Sequence, residues 1–232
     1  MFDGKLKAVT FSYDDGVLQD ERLIRIFNKY NLKATFNLNS ELLGKEGHLI
    51  IEDKWINHTK VQPRDVKSLY CGHEVAVHTL THPRLPALEE LDIIRQVEQD
   101  RINLSELVNY EVKGMAYPCG GVNNDDRVAA IIKANTGVKY ARTIAANFSF
   151  DLQHNLYRFD PTIHHVSFKR LFECGEEFIN MKANRPQIYY IWGHSYEFDV
   201  DDSWDKFEEF CKMISGREDI FYGTNAEVFG IS

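Results

Sequence analysis

Short apolar runs alternate with longer amphipathic segments from one end of this chain to the other. That alternation marks βα units, in which parallel strands are joined by crossover helices, and it restricts the chain to a mostly parallel sheet or barrel. The apolar runs predict strands at Lys7 to Ser12, Lys33 to Leu38, His73 to Val77, Lys113 to Tyr117, Lys139 to Thr143, Gln187 to Trp192 and Asp219 to Tyr222. The amphipathic segments predict helices at Asp20 to Tyr30, Ala87 to Val108, Asp125 to Asn135, Ser167 to Met181 and Trp204 to Ser215. No Gly/Ser linker, repeat or low-complexity tract divides the chain, so a single domain over residues 1–232 is expected. The main irregular insertion runs from Gly44 to Gln62, and a long loop on such a scaffold tends to carry function.

The formal net charge of -8 argues against partners that demand clustered Lys and Arg, which removes nucleic acid and anionic membrane surfaces from consideration. No apolar run reaches the roughly eighteen residues of a membrane span, so membrane insertion is not expected. Residues Met1 to Lys7 lead into the first strand without the apolar stretch of a secretory signal, and the expectation is a cytoplasmic protein. Cys71, Cys119, Cys174 and Cys211 are widely spaced and form no Cys-x-x-Cys pair, which fits reduced thiols.

In βα architectures the reactive groups gather at the carboxyl ends of the strands, where loops converge. Asp14 and Asp15 end the first strand, His78 the third, Tyr117 and Pro118 the fourth, Arg142 the fifth and His194 the sixth. Adjacent side chains on a flat strand point to opposite faces, so both carboxylates can enter one pocket only if the backbone turns, and Gly16 supplies that freedom. One Asp with His78 and His82 then offers three ligands to a divalent cation, leaving positions open for water and substrate, while the other Asp stays unbound as a base. The pair His78 and His82 shares a face in either a helical turn or an extended segment. His194 suits a general acid, because an imidazole near its neutral-range pKa can protonate a leaving amine or alkoxide. Glu197, Asp199 and Trp204 follow closely enough to line the same rim, with Trp204 read mainly as a packing residue. His48, His58, His154, His164 and His165 have no strand-end placement and read as surface or packing residues.

These residues resemble the polysaccharide deacetylase family, the carbohydrate esterases that share the NodB homology domain. Phe11-Ser12-Tyr13-Asp14-Asp15-Gly16 is similar to its first motif and His78-Thr79-Leu80-Thr81-His82 to its second. Met115 to Gly120 echoes part of the third, and Trp192-Gly193-His194 the fifth. The resemblance implies a distorted (β/α)7 barrel of the NodB type, with Asp15, His78 and His82 holding a divalent metal, most simply Zn, with Co, Ni, Mn or Fe as alternatives. It also implies Asp14 as the base, His194 as the acid, and the backbone N–H of Cys119 as a donor to the oxyanion, beside Tyr117 and Pro118. The activity implied is removal of acetyl groups from an N- or O-acetylated carbohydrate. Two rivals stand beside it: hydrolysis of another non-peptide C–N bond on the same barrel, as in allantoinase-like relatives, and a decayed glycan-binding module. The chain departs from the family pattern in two places. Ala116 stands where the third motif has an arginine, for which Arg142 is the nearby replacement, and no fourth motif (Asp-x-x-Asp-Trp) is legible around Phe148, Phe150, Asp151 and Asp160.

Overall fold

The computed structural model describes residues 2–231. Its strands in chain order are β1 (Lys7–Asp14), β2 (Ala34–Leu38), β3 (His48–Ile51), β4 (Lys54–Asn57), β5 (Glu74–Val77), β6 (Gly114–Ala116), β7 (Tyr140–Arg142), β8 (Ile163–His164), β9 (Gln187–His194) and β10 (Ile220–Tyr222). Eight of them form one sheet in the order β7-β6-β5-β2-β1-β9-β8, with β10 attached to β1. Every pairing in that sheet is parallel. β1 lies at its centre, paired along its whole length with β9, through Lys7 to Val9 with β10, and through Phe11 to Asp14 with β2. All eight residues of β1 are buried, as expected for a parallel strand covered on both faces.

The sheet curls toward closure without completing it. At one edge Arg142 of β7 bridges Phe159 in parallel, and a few residues later Ile163 of β8 pairs with Ile191 of β9 at the other edge. The stretch between Phe159 and His164 therefore spans the gap that a further regular strand would fill. This is a distorted βα barrel, as the sequence led one to expect, with seven predicted strands in place and the two-residue β8 added.

Helices on the outside cover the sheet with apolar faces. In the helix Trp204–Ile214, Trp204, Phe207, Phe210, Cys211 and Ile214 turn inward at helical spacing. Phe207 meets Phe198 at 4.6 Å and Phe11 at 6.3 Å between ring centroids, in a cluster that also holds Tyr13 and Phe27. Trp204 is buried against Phe198 at 4.7 Å, and its indole N–H donates to Asp199, so it packs the helix and presents no face to a ligand. No helix among the described residues is long and apolar enough to cross a membrane.

Two segments differ from expectation. The long helix over Ala87 to Val108 is interrupted: a helix at Glu90–Ile94 passes through a π turn at Arg95–Gln99 into a helix at Asp100–Val108. There the Gln96 carbonyl accepts from Leu80 N at 3.0 Å, and its side chain accepts from Thr81 N at 3.2 Å. Local helical regularity yields to these two bonds with the loop beside it, a common use of π turns. The insertion from Gly44 to Gln62 is no irregular loop, since β3 and β4 pair antiparallel across a two-residue turn. Glu52 and Asp53 both have positive φ there, 50° and 60°, the pattern of the tight hairpin turn that follows strand twist. Replacing Phe207 by Ala is expected to lower unfolding free energy by about 3–5 kcal/mol, measured by chemical denaturation, because the ring is lost from a closed aromatic cluster.

Candidate metal centre

The end of β1 sets the site. Asp14 is its last residue; Asp15 follows with φ of 84° and Gly16 with φ of 60°. The left-handed step begins at Asp15 itself, which brings its carboxylate to the same side as that of Asp14. Gly16 suits this turn because its positive φ is strained for other residues, and a Cβ there would also lie 2.7 Å from Leu38 Cδ2.

The loop carrying the two histidines is neither helical nor extended. Thr79 and His82 both take positive φ, 68° and 61°, so the chain doubles back between the two imidazoles. Buried polar groups hold it there: Asn39 donates to Thr79 O at 2.9 Å, and Asp100 accepts from His78 N at 3.2 Å and from Ser40 N at 2.7 Å. As a result His82 Nε2 lies 3.7 Å and His78 Nε2 4.0 Å from Asp15 Oδ1. One donor atom from each of Asp15, His78 and His82 falls within 4.8 Å of the others.

The chemistry of this donor set fits a divalent cation. His78 Nδ1 lies 2.9 Å from Ala116 O, which can only accept, so the proton sits on Nδ1 and the lone pair of Nε2 is turned to Asp15. Burial pushes the His78 pKa down to about 4 and lowers that of His82, leaving both rings neutral near pH 7. Burial alone would raise the Asp15 pKa, but the His58 hydrogen bond and the Lys60 charge hold it well below the usual carboxylate range. Two neutral imidazoles and an ionised carboxylate suit Zn²⁺ and similar metals.

Asp14 stands in a different setting. The Arg142 guanidinium reaches both its oxygens at 2.5 Å, and Asn37 donates to Oδ1 at 2.8 Å. Arg142 is fully buried, donates also to Ser12 Oγ at 3.2 Å, and lies 4.6 Å from the Trp192 ring centroid. Burial would raise the Asp14 pKa, yet Arg142, with His78 and His194, holds it below its ordinary value. Oδ2 faces His78 Nε2 and His194 Nε2, each at 4.0 Å.

Behind His194 stands Glu197, one turn onward in the short helix Glu197–Val200. Its Oε2 accepts from His194 N at 2.8 Å and lies 3.3 Å from His194 Nδ1. Burial opposes a charge on His194, but Glu197, with Asp15 and Asp14, pushes its pKa up to about 9. Asp14, Asp15, His78, His82 and His194 line one cavity of ≈ 230 Å³ together with Tyr117, Cys119 and Trp192. Pro118 is buried but does not line it.

Four residues of this neighbourhood escaped the sequence reading. His58 and Lys60, at the base of the β3–β4 hairpin, contact Asp15 at 3.1 and 3.5 Å, and Lys60 also donates to its backbone carbonyl at 2.9 Å. His164 bonds Glu197 at 2.9 Å, and buried His165 lies 3.5 Å from the same oxygen. His58 and His164 are therefore more than surface or packing residues, whereas the His165 ring packs between Phe198 and Tyr13 as the sequence suggested. The length of the insertion was the only signal for His58 and Lys60.

Comparison with known proteins agrees with this geometry. Residues 3–141 match the family described as Polysaccharide deacetylase. No curated protein matches the chain. Among solved structures, a family 4 carbohydrate esterase from Streptomyces lividans is 12% identical over 95% of this chain and 93% of its own, with a TM-score of 0.58. The CE4 domain of a multidomain xylanase from the hindgut metagenome of Trinervitermes trinervoides is 17% identical over 97% and 90%, with a TM-score of 0.60. A polysaccharide deacetylase from Bacillus cereus is 18% identical over 64% of this chain, which spans 44% of that protein, with a TM-score of 0.52. At such identities the structures speak for the fold. With more than half of its residues matched to the family and the two carboxylates and two histidines of its motifs gathered in one cavity, the chain belongs to the polysaccharide deacetylase family.

Proposed function

We propose that this protein is a metal-dependent hydrolase that removes acetyl groups from an N- or O-acetylated carbohydrate. The observation that carries the reading is the division of labour between adjacent carboxylates: Asp15 faces two neutral imidazoles, whereas Asp14 is locked by Arg142 with Oδ2 turned to the cavity. A divalent cation held by Asp15, His78 and His82, most simply Zn²⁺, would polarise the acetyl carbonyl and acidify a water molecule. Asp14 is the base that takes the water proton on Oδ2, and Arg142 fixes its orientation in place of the family's third-motif arginine. His194, protonated because Glu197 stands behind it, gives its Nε2 proton to the departing sugar nitrogen or oxygen as the bond to the acetyl carbon breaks. The backbone N–H of Cys119, at a residue with φ of 70°, is the proposed donor to the oxyanion. Trp192, Tyr117 and Ile144 supply the wall for the acetyl methyl. The cavity is smaller than the roughly 300–1,000 Å³ of a drug-sized pocket, so it takes the acetyl group and its sugar ring while the rest of a glycan lies outside.

Metal-stripped protein reloaded with Zn²⁺ is expected to release acetate from acetylated sugars, and Asp14→Asn to lower the rate by about 10²–10⁴-fold. Stoichiometric metal binding with no acetate from any N- or O-acetylated sugar would overturn the carbohydrate assignment. Arg142→Ala leaves a buried carboxylate unpaired and is expected to cost roughly 3–5 kcal/mol at pH 7 by chemical denaturation. Asp14 has a depressed folded pKa, so this stability is present above its ordinary value of 3.8 and is lost as pH falls through the folded value; the gap between wild type and variant should narrow there. His194 must be protonated to act, and Glu197 raises its pKa, so kcat/KM should fall on a basic limb as that proton is lost. In Glu197→Gln that basic limb should move to lower pH, and an unmoved limb would remove Glu197 from this role.

A further inference from the structure

His165 is a buried side chain whose shape the fold accommodates and whose polarity it does not. Its ring lies between Phe198 at 4.2 Å and Tyr13 at 5.5 Å, nearly parallel to both. A Cβ on Gly193 would lie 1.9 Å from His165 Nδ1, so the neighbouring strand gives up a side chain to admit this ring. Yet neither ring nitrogen has a hydrogen-bond partner among the described residues. A buried polar group left unpaired costs about 1–3 kcal/mol, and a phenylalanine would stack equally well without that penalty. Packing therefore explains the ring and leaves its nitrogens unexplained.

The carboxylate beside this ring is that of Glu197. Its Oε2 lies 3.5 Å from His165 Nε2, 2.9 Å from His164 Nε2 and 3.3 Å from His194 Nδ1, which is itself buried without a hydrogen-bond partner. Donor atoms about 2.0–2.2 Å from a tetrahedral cation stand roughly 3.3–3.6 Å from one another; the His165–Glu197 separation of 3.5 Å matches that spacing, and the 2.9 Å His164–Glu197 hydrogen bond would open slightly to admit an ion. Donor atoms of His164, His165 and Glu197 all lie within 4.8 Å of each other, as do those of Asp15, His78 and His82. Two imidazoles with one carboxylate select a borderline transition metal over Mg²⁺ or Ca²⁺, which prefer oxygen.

We propose that His164, His165 and Glu197 form a second site for a divalent transition-metal cation, distinct from the Asp15, His78 and His82 group and lying behind His194. A cation there would neutralise the carboxylate that faces His194 Nδ1 and compete for that nitrogen. The second equivalent of metal is then inhibitory. The inhibitory effect rests on the reading of His194 as the acid, whereas the binding itself does not.

The test is metal stoichiometry at pH 7.5, by equilibrium dialysis of metal-stripped full chain against Zn²⁺. Exposed Cys71 is replaced by Ser throughout to remove its thiol. Two equivalents are expected for the wild-type site residues, one for His78→Gln, one for His164→Gln, and none for the double variant. Glu197→Gln replaces His164→Gln if the latter melts early. A single equivalent that vanishes in His78→Gln and is unchanged in His164→Gln and Glu197→Gln would overturn the second site. Acetate release followed along the same titration separates the two readings. Activity that rises with the first equivalent and falls with the second supports both. Two bound equivalents with no activity toward any acetylated sugar keep the second site and overturn the deacetylase reading; activity that rises with one equivalent and never falls, with one ion bound, does the reverse.

Discussion

The mouth of this barrel depends on one buried ion pair. Arg142 belongs to β7, at the sheet edge, and Asp14 to β1, at its centre, with β6, β5 and β2 between them. In a flat sheet four strand spacings of ~4.8 Å would hold these strands roughly 19 Å apart, far beyond the reach of an arginine. The contact at 2.5 Å exists only because the sheet curls, and it ties the curled edge to the central strand. A fully buried guanidinium has few ways to recover its lost hydration. Here it bonds both oxygens of Asp14, Ser12 Oγ and the Thr143 carbonyl, so the strand ends are held in the one arrangement that satisfies it.

A second consequence of that arrangement is electrostatic separation over a single peptide bond. Asp14 is neutralised from one side by a permanent cation, while Asp15 sees Lys60 and His58 from a hairpin on the other. The two carboxylates can stay ionised side by side because each has its own counter-charge. The hairpin is thus part of the site's charge balance, although no residue of it lines the cavity.

What the sequence disclosed follows from what periodicity can carry. Buried parallel strands are continuous apolar runs, and polar residues stand out at their ends, so β1, β2, β5, β6, β7, β9 and β10 and the positions of Asp14, His78 and His194 were legible. β8 has two residues and no run to detect, and β3 and β4 expose Ile50 and Trp55, so their pattern is that of a surface loop. Glu197 lay in plain view three residues after His194, yet its bond to His164 joins residues 33 apart in the chain and leaves no local trace. The carboxylate beside His194 is likewise supplied by Glu197, on its C-terminal side, and no Asp-x-x-Asp-Trp pattern precedes it. The left-handed turns at Thr79 and His82 were equally hidden, since neither residue type announces positive φ.

The π turn between Glu90 and Val108 has a meaning in rotation as well as in bonding. An α-helix advances about 100° per residue, so one residue beyond the normal turn offsets the angular phase of everything after it by that amount. The segment before the turn, Glu90–Ile94, packs on the helix Asp126–Asn135, and the segment after it, Asp100–Val108, packs on β5, the strand that ends at the metal-site loop. The offset lets one rod address two partners that no straight helix of the same length could face together. The residue count of this stretch is therefore a structural constraint in itself, because a one-residue deletion would swing Asp100, which holds His78, away from the loop it anchors.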